Sequence, residues 1–216
     1  MSERGYEILS LDDLDRYSTT PSAPVIMPLR RRLGFRPYGL NCWTATAAGG
    51  QLIEGHYERD GTEELYVVVR GRATFTLGEE TLDAPAGTLV HAPPGTFRQA
   101  VAAEEDTIVL AVGAKAGEAF TPTGWEDFVI AYALRGTGDV EGGRALIREA
   151  LARDPDAWQG QYNAACFESL AGGAGAAFEH LRRAVAGNAD EVRRHAAEDP
   201  DFEPLRADPR WAEVIG

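Results

Sequence analysis

The apolar residues of the chain change their spacing once, near residue 120, and this change constrains the fold more than any other feature. Between residues 24 and 120 they form short runs that end at glycine or proline, a pattern typical of β-strands joined by turns. The clearest runs are Leu65–Val69, Ala73–Leu77, Gly87–His91 and Thr107–Val112. After residue 120 they recur at the three- and four-residue intervals of helices. The sequence therefore predicts a β part followed by an α part.

The β part has the strand spacing of a sandwich or barrel, which we place at residues 24–120. Residues 1–23 are polar and turn-rich, and we expect them to form an N-terminal extension. Ser10 is placed to cap a short helix that begins at Leu11.

The α part, residues 121–216, contains a weak internal repeat. Two helical segments, around Ile147 and around Leu181, lie 34 residues apart, and small residues coincide at that offset. A period of 34 with small residues at helix contacts is typical of tetratricopeptide repeats. We therefore expect a tetratricopeptide-like module whose tail, from Asp190 to Gly216, caps the stack.

Two motifs in the β part resemble those of the cupin barrels. The first runs from His56 through Glu58 and Glu64 to Gly71, and the second joins Gly87 through Pro93-Pro94-Gly95 to Arg98. The resemblance implies a double-stranded β-helix, or jelly-roll-like barrel, with metal ligands at the motif positions. Glu58 stands where the family has a second histidine, and Arg98 stands where it has its last one.

The whole chain resembles a bacterial family that combines a cupin barrel with tetratricopeptide-like helices. The segments Glu63–Val68, Gly71–Phe75 and Asp83–Thr88 and the closing Asp199-Pro200-Asp201-Phe202 carry this resemblance. It implies an architecture, and by analogy with other cupins a homodimer, but no particular reaction.

Strand alternation gives a second view of the candidate site, because alternate side chains share a face. If His56 faces the interior, Glu54 and Glu58 face it too, and if Glu64 faces inward, so does Tyr66. A hairpin closed at Pro93–Thr96 pairs His91 with Arg98 and predicts that His91 also faces the cavity.

Two interiors are compatible with these residues. In the first, His56, Glu58, Glu64 and His91 bind one divalent metal ion (Fe, Mn, Zn, Ni or Cu), and Arg98 and Tyr66 bind the ligand. In the second, no metal is bound and Arg98 pairs with Glu58 or Glu64. A guanidinium about 4 Å from a divalent ion is repelled by roughly 8 kcal/mol at an effective dielectric constant of about 20, which favours the second.

These alternatives lead to different functions. We expect a small-molecule-binding cupin with a degenerate metal site and a helical module for dimerisation or for a protein partner. The alternative is a metal-dependent enzyme, a dioxygenase, isomerase or lyase acting on a small polar metabolite through His56, Glu58, Glu64 and His91. In a third interpretation, the chain is purely an interaction protein and the barrel serves only as a dimerisation scaffold.

Composition narrows the partners and the location. The formal net charge of −13 argues against binding to nucleic acid or to an anionic membrane, because both require clustered Lys and Arg. No stretch of the sequence has the length of a membrane helix or the pattern of a signal peptide, so a cytoplasmic location is expected. Cys42 and Cys166 lie in apolar surroundings, and we expect both to be reduced and buried.

Overall fold

The computed structural model describes residues 7–20, 22–58, 60–122 and 124–216. The first six residues of the expected N-terminal extension, together with Pro21, lie outside this range. Two compact units divide between Pro122 and Gly124, the first built from strands and the second from helices. The prediction of a β part followed by an α part is confirmed.

The described residues of the first unit contain nine strands, one 3₁₀ helix at Leu11–Asp13 and one short α-helix, α1 at Leu29–Leu33. The strands are β1 Val25–Met27, β2 Gly39–Thr44, β3 Gln51–Tyr57, β4 Thr62–Arg70, β5 Arg72–Leu77, β6 Glu80–Pro85, β7 Leu89–Ala92, β8 Phe97–Ala102 and β9 Ile108–Lys115. The apolar runs recognised in the sequence coincide with β4, β5, β7 and β9.

The strands form two antiparallel sheets. The five-stranded sheet has the order β1-β2-β9-β4-β7, and the four-stranded sheet has the order β3-β8-β5-β6. From β2 to β9 the chain crosses from one sheet to the other at every connection except that between β5 and β6. Such crossing is the connectivity of a jelly roll, in which two sheets enclose one core.

The core of the first unit lies between the two sheets. Tyr66 and Val68 of the five-stranded sheet pack in one cluster with Phe75 and Ala100 of the four-stranded sheet. The alternation of buried and less buried residues along β4 and β8 follows from the two-residue period of a strand. Glu64 and Arg98 have the same parity as these core residues, so both are directed into the space between the sheets.

The N-terminal segment covers part of the outer face of the five-stranded sheet. Ser10 caps a short 3₁₀ helix at Leu11–Asp13, as the sequence predicts. Leu14 is buried against Met27, Cys42 and Ile108. Apolar contacts therefore hold this segment to the sheet.

The described part of the second unit, residues 124–216, contains six α-helices and one 3₁₀ helix. They are α2 Trp125–Gly136, α3 Val140–Arg153, α4 Trp158–Leu170, α5 Ala174–Gly187, α6 Ala189–Glu198, a 3₁₀ helix at Pro200–Leu205, and α7 Pro209–Val214. The starts of α3 and α5 are 34 residues apart, and so are the ends of α2 and α4. The same helix pair thus occurs twice along the chain.

Small side chains occupy the helix contacts of this unit. Ala131 and Ala165, which coincide at the 34-residue offset, are both fully buried, and so is Ala184. The tail contributes Phe202, Leu205 and Val214 to the apolar cluster around Phe178. Both cysteines are free and buried, as predicted. Within the described residues, no helix combines the length and the apolar character needed to cross a bilayer.

Candidate metal and ligand site

His56 lies near the end of β3, where it pairs across the strands with Arg98 of β8. Its Nδ1 is 2.8 Å from the backbone oxygen of Glu54. A carbonyl oxygen has no proton to give, so Nδ1 must carry the hydrogen and donate it. This bond fixes the ring so that Nε2, the second nitrogen, is directed at the carboxylates of Glu58 and Glu64.

Glu58 follows β3 and is held by the turn at Pro93–Thr96. The Gly95 amide donates to the Glu58 carbonyl oxygen at 2.7 Å. Gly95 has φ of +77°, a backbone conformation that glycine adopts without steric cost. The Glu58 Oε1 lies 3.5 Å from His56 Nε2. The glycine of the second motif therefore positions an acid of the first.

Glu64 is the most connected residue of the site. Its Oε2 accepts a hydrogen bond from the Tyr66 hydroxyl at 2.5 Å. The same oxygen lies 3.5 Å from Arg98 Nη1 and 3.7 Å from His56 Nε2. Tyr66 is two residues further along β4, so both side chains share the inward face.

Arg98 is completely buried, with 0% of its side chain exposed. Its Nη2 donates to the backbone oxygens of Pro93, at 2.8 Å, and Ala92, at 3.3 Å. Its Nε and Nη1 have no hydrogen-bond partner among the described residues, although Nη1 is in ion-pair range of Glu64. The guanidinium is thus a buried cation with two donor nitrogens, Nε and Nη1, available for a further acceptor.

The ionisation of these groups follows from their contacts. Hydrogen bonds to Glu58 and Glu64 raise the pKa of His56 to about 10. Burial raises the pKa of Glu64, but hydrogen bonds from His56 and Tyr66 and the charge of Arg98 outweigh burial, so the pKa lies below its usual value. Burial, with the Glu64 charge, raises the pKa of Tyr66. Around Glu64, the site therefore holds a carboxylate, a protonated imidazole and a neutral phenol at neutral pH.

Three of the residues that the sequence predicts as ligands come together. One donor atom each from His56, Glu58 and Glu64 lies within 4.8 Å of the others. The exposed fractions of these side chains are 37%, 31% and 17%, so the cluster is open to solvent on one side. We refer to these residues as the His56–Glu58–Glu64 cluster.

His91, the fourth predicted ligand, does not belong to this cluster. The prediction is wrong because β7 and β8 do not form a hairpin: β7 pairs with β4 in one sheet, and β8 pairs with β3 and β5 in the other. Val90 and Ala92 therefore face the core, and His91 faces outward. Its side chain is 57% exposed, and its Nε2 lies 3.3 Å from Glu63 Oε2.

Strand alternation also predicts that Glu54 faces inward with His56, but Glu54 is exposed. The pairing of β3 with β8 shifts register between Ile53 and His56. Such a β-bulge adds a residue to one strand and reverses the alternation beyond it. Strand alternation across a bulge therefore misassigns the face, although His56 itself remains where the motif predicts.

Arg98 and Tyr66, the predicted ligand-binding residues, are both buried. Both contact Glu64, one as a nearby cation and the other as a hydrogen-bond donor. Both therefore hold Glu64 from the inner side of the cluster. Strand alternation predicts this inward position for Tyr66.

The second unit contains another group that the sequence reasoning did not select: Cys166, Asp199 and Asp201 also bring donor atoms within 4.8 Å of one another. The Asp199 carboxylate accepts from the Asp201 amide at 2.9 Å and from the Tyr162 hydroxyl at 2.8 Å. Asp199 is the N-cap of the 3₁₀ helix that follows. Its lone pairs therefore serve the capping of that helix, a structural role for the Asp-Pro-Asp segment.

Comparison with known proteins finds solved structures that are similar to part of this chain. No protein-family model matches the chain, and no curated protein matches it. Among solved structures, a cupin protein from Desulfovibrio desulfuricans is 25% identical, with a TM-score of 0.33 over 37% of this chain and 73% of that one. KdgF from Halomonas is 20% identical, with a TM-score of 0.40 over 50% of this chain and 92% of that one. A predicted oxalate decarboxylase from Thermotoga maritima is 14% identical, with a TM-score of 0.42 over 50% of this chain and 99% of that one.

Proposed function

We propose that the first unit is a cupin-type domain that binds one divalent transition metal ion, and through it a small molecule. The observation that carries the proposal is the convergence of one imidazole nitrogen and two carboxylates within 4.8 Å. Imidazole and carboxylate ligands suit Fe, Mn, Zn, Ni and Cu. Three protein ligands leave coordination positions open for a further molecule.

The donor set fits a metal at three positions and fails at one. His56 fits because its Nδ1 proton is engaged with a carbonyl, which leaves the Nε2 lone pair for a cation once its own proton departs. Glu58 and Glu64 supply two negative charges. Arg98 cannot be a ligand, because guanidinium has no lone pair to offer and does not lose its proton.

The charge of Arg98 weakens metal binding without preventing it. Coulomb energy falls as the inverse of distance, and the two carboxylates would touch the cation, whereas Arg98 lies behind Glu64. Its Nη2 is also engaged with two backbone oxygens, away from the cluster. Attraction by the acids therefore outweighs repulsion by the guanidinium, and the net result is a site of reduced affinity.

Each residue of the cluster, and each of its two buried neighbours, has a defined part in the proposed site. His56 and Glu58 bind from the solvent side, while Glu64 is held from behind by Tyr66 and Arg98. When bound, a divalent ion supplies Lewis acidity that polarises a ligand oxygen. The protein fixes the acceptor geometry from the inner side, where Tyr66 and Arg98 are buried.

A metal-dependent enzyme is the second candidate, favoured by the open coordination positions that catalytic metal sites retain. The reaction classes expected from the sequence are those of a dioxygenase, an isomerase or a lyase. Incubating metal-loaded protein with a metabolite extract separates the two functions. Consumption of one metabolite by the wild-type protein, but not by His56→Ala, supports the enzyme, whereas retention of an unchanged metabolite supports the binding protein.

For the second unit we propose a tetratricopeptide-like module that serves a protein partner or dimerisation in the cytoplasm. The support is the recurrence of one helix pair at an offset of 34 residues, with buried alanines at equivalent positions. Light scattering tests the homodimer. A mass near twice 23.3 kDa is expected, and a mass near 23.3 kDa at all concentrations contradicts it.

Calorimetric titration of chelator-treated protein with Co²⁺ or Zn²⁺ tests the metal site. The wild-type protein is expected to bind one equivalent. His56→Ala is expected to abolish this binding, and His91→Ala, which changes an exposed histidine outside the cluster, is the matched control and is expected to leave it unchanged. Equal binding by wild type and His56→Ala would contradict the proposal.

A further inference from the structure

We infer that the small molecule bound at the His56–Glu58–Glu64 cluster is an anion, a small carboxylate with a second oxygen for chelation, and that Arg98 provides this selectivity. The inference rests on the proposed metal site. It concerns the class of ligand, which the three metal ligands alone leave open.

The charge balance of the site is the first argument. With a divalent cation bound and His56 neutral, the carboxylates of Glu58 and Glu64 cancel the charge of the cation. The single positive charge of buried Arg98 then remains in excess, because its ion-pair partner, Glu64, is shared with the cation. Among the described residues, Lys115 is paired with Asp60 at 3.0 Å and so adds no net charge. The occupied site is therefore complementary to a monoanion.

The hydrogen bonding of Arg98 is the second and independent argument. Its Nε and Nη1 have no hydrogen-bond partner among the described residues, and the side chain is fully buried. Buried donors without acceptors are rare because leaving them unpaired is costly. Arg98 Nη1 lies 3.5 Å from Glu64 Oε2, so this donor belongs to the same site. An oxygen-rich anion, directly or through a water, supplies the missing acceptor.

These arguments distinguish between classes of small molecule. A neutral polyol leaves the charge of Arg98 uncompensated, and a dianion exceeds it. A carboxylate with an adjacent hydroxyl or keto oxygen carries one charge and fills two open coordination positions. Glycolate is the simplest member of this class, and ethylene glycol is its neutral counterpart of similar size.

The test titrates the full-length, Co²⁺-loaded protein with glycolate and with ethylene glycol, and follows the visible absorption of the metal. Wild-type protein is expected to bind glycolate at least about tenfold more tightly than ethylene glycol, because only glycolate carries compensating charge. Any bound metal ion binds glycolate more tightly than ethylene glycol. The Arg98 variants therefore provide the decisive comparison.

Arg98→Met is expected to have opposite effects on two affinities. Loss of the positive charge strengthens or preserves Co²⁺ binding and weakens glycolate binding by about tenfold or more. Damage to the fold lowers the affinities for Co²⁺ and for glycolate together. A loss of glycolate affinity with Co²⁺ affinity retained or increased therefore identifies an electrostatic role for Arg98. Arg98→Lys, which keeps the charge, is expected to retain most of the glycolate affinity.

Two results overturn the inference alone: equal affinities for glycolate and ethylene glycol, or wild-type glycolate affinity in Arg98→Met. Failure of the wild-type protein to bind Co²⁺ overturns the metal site as well, so the two failures are distinguishable.

Discussion

Glu64 is the residue of the site with the most polar neighbours, namely Tyr66, His56 and Arg98. Its Oε2 accepts a hydrogen bond from the Tyr66 hydroxyl and lies 3.7 Å from His56 Nε2 and 3.5 Å from Arg98 Nη1. A carboxylate held in this way is already oriented before a cation arrives, and outer contacts of this kind tune metal affinity. Tyr66 is therefore a positioning residue in our account.

Tyr66→Phe removes the hydroxyl that orients Glu64 and leaves the ring in its contact with Phe75. We expect the metal affinity to fall by about tenfold, within the range typical of outer-contact substitutions, while the protein remains folded. Titration calorimetry measures the affinity, and circular dichroism checks the fold. Tyr38→Phe, an exposed tyrosine outside the cluster, is the control. Identical affinities in the two variants would remove Tyr66 from the site.

Cys42 provides a prediction about pH. Burial raises the pKa of its thiol from 9.0 to about 11, so the folded protein keeps a proton that the unfolded chain loses. This contribution to stability is present below pH 9 and is lost as the pH rises toward 11. We expect a loss on the order of 2 kcal/mol that Cys42→Ala does not show. Urea denaturation of both proteins at the two ends of this range measures it, and parallel pH profiles would contradict it.

The residues of the candidate site were partly predictable from the sequence. The first motif names Glu64 among the ligands, and the neighbouring Glu63 faces outward toward His91. The placement of His91 was not predictable from local alternation, because it depends on which sheet each strand joins. The spare donors of Arg98 were not predictable either, since they depend on the packing around a buried side chain.

At the scale of the strands, glycines and a bulge set the geometry of the site. The turn at Pro93–Thr96, recognised in the sequence, connects two sheets and tethers the Glu58 backbone. The bulge in β3 has no such sequence signal, and it moves Glu54 out of the interior. A turn depends on local residues and can therefore be predicted from the sequence, whereas strand register is a property of the assembled sheets.

Gly71 joins β4 to β5 with φ of +71°, and a Cβ there would lie 2.6 Å from Thr107 Oγ1. Gly71→Ala is therefore expected to lower the free energy of unfolding by about 2 kcal/mol or more, through backbone strain and a steric clash. Gly78→Ala is the matched control, because Gly78 also has positive φ, +60°, but nothing lies within 4 Å of the added Cβ. We expect the control to lose about 1 kcal/mol from strain alone. Equal losses in urea denaturation would show that the contact with Thr107 is unimportant.

At the scale of the whole molecule, the two units have separate cores and separate donor clusters. The change of apolar period near residue 120 predicts the division, because strands and helices bury side chains at different intervals. The same sequence reasoning did not find the Cys166, Asp199 and Asp201 group, whose members come together only when the tail packs on α4. We assign metal binding to the first unit alone.

Hydrogen exchange with mass spectrometry tests this assignment across the chain. Saturation with Co²⁺ is expected to slow amide exchange in β3, β4 and β8, which carry the cluster and its supporting residues, because a ligand stabilises the state to which it binds. Peptides from α4 and α5 serve as the internal reference and are expected to change little. Protection centred on α4 and the tail would place the metal in the second unit.

X-ray absorption spectroscopy of the Zn²⁺-loaded protein, in thiol-free buffer, tests the central claim most directly. The His56–Glu58–Glu64 cluster contains no sulfur, whereas the other group of the described residues contains the Cys166 thiol. We predict a first shell of oxygen and nitrogen at about 2.0–2.2 Å with one imidazole. A zinc–sulfur distance of about 2.3 Å, or a shell without imidazole, would contradict the account.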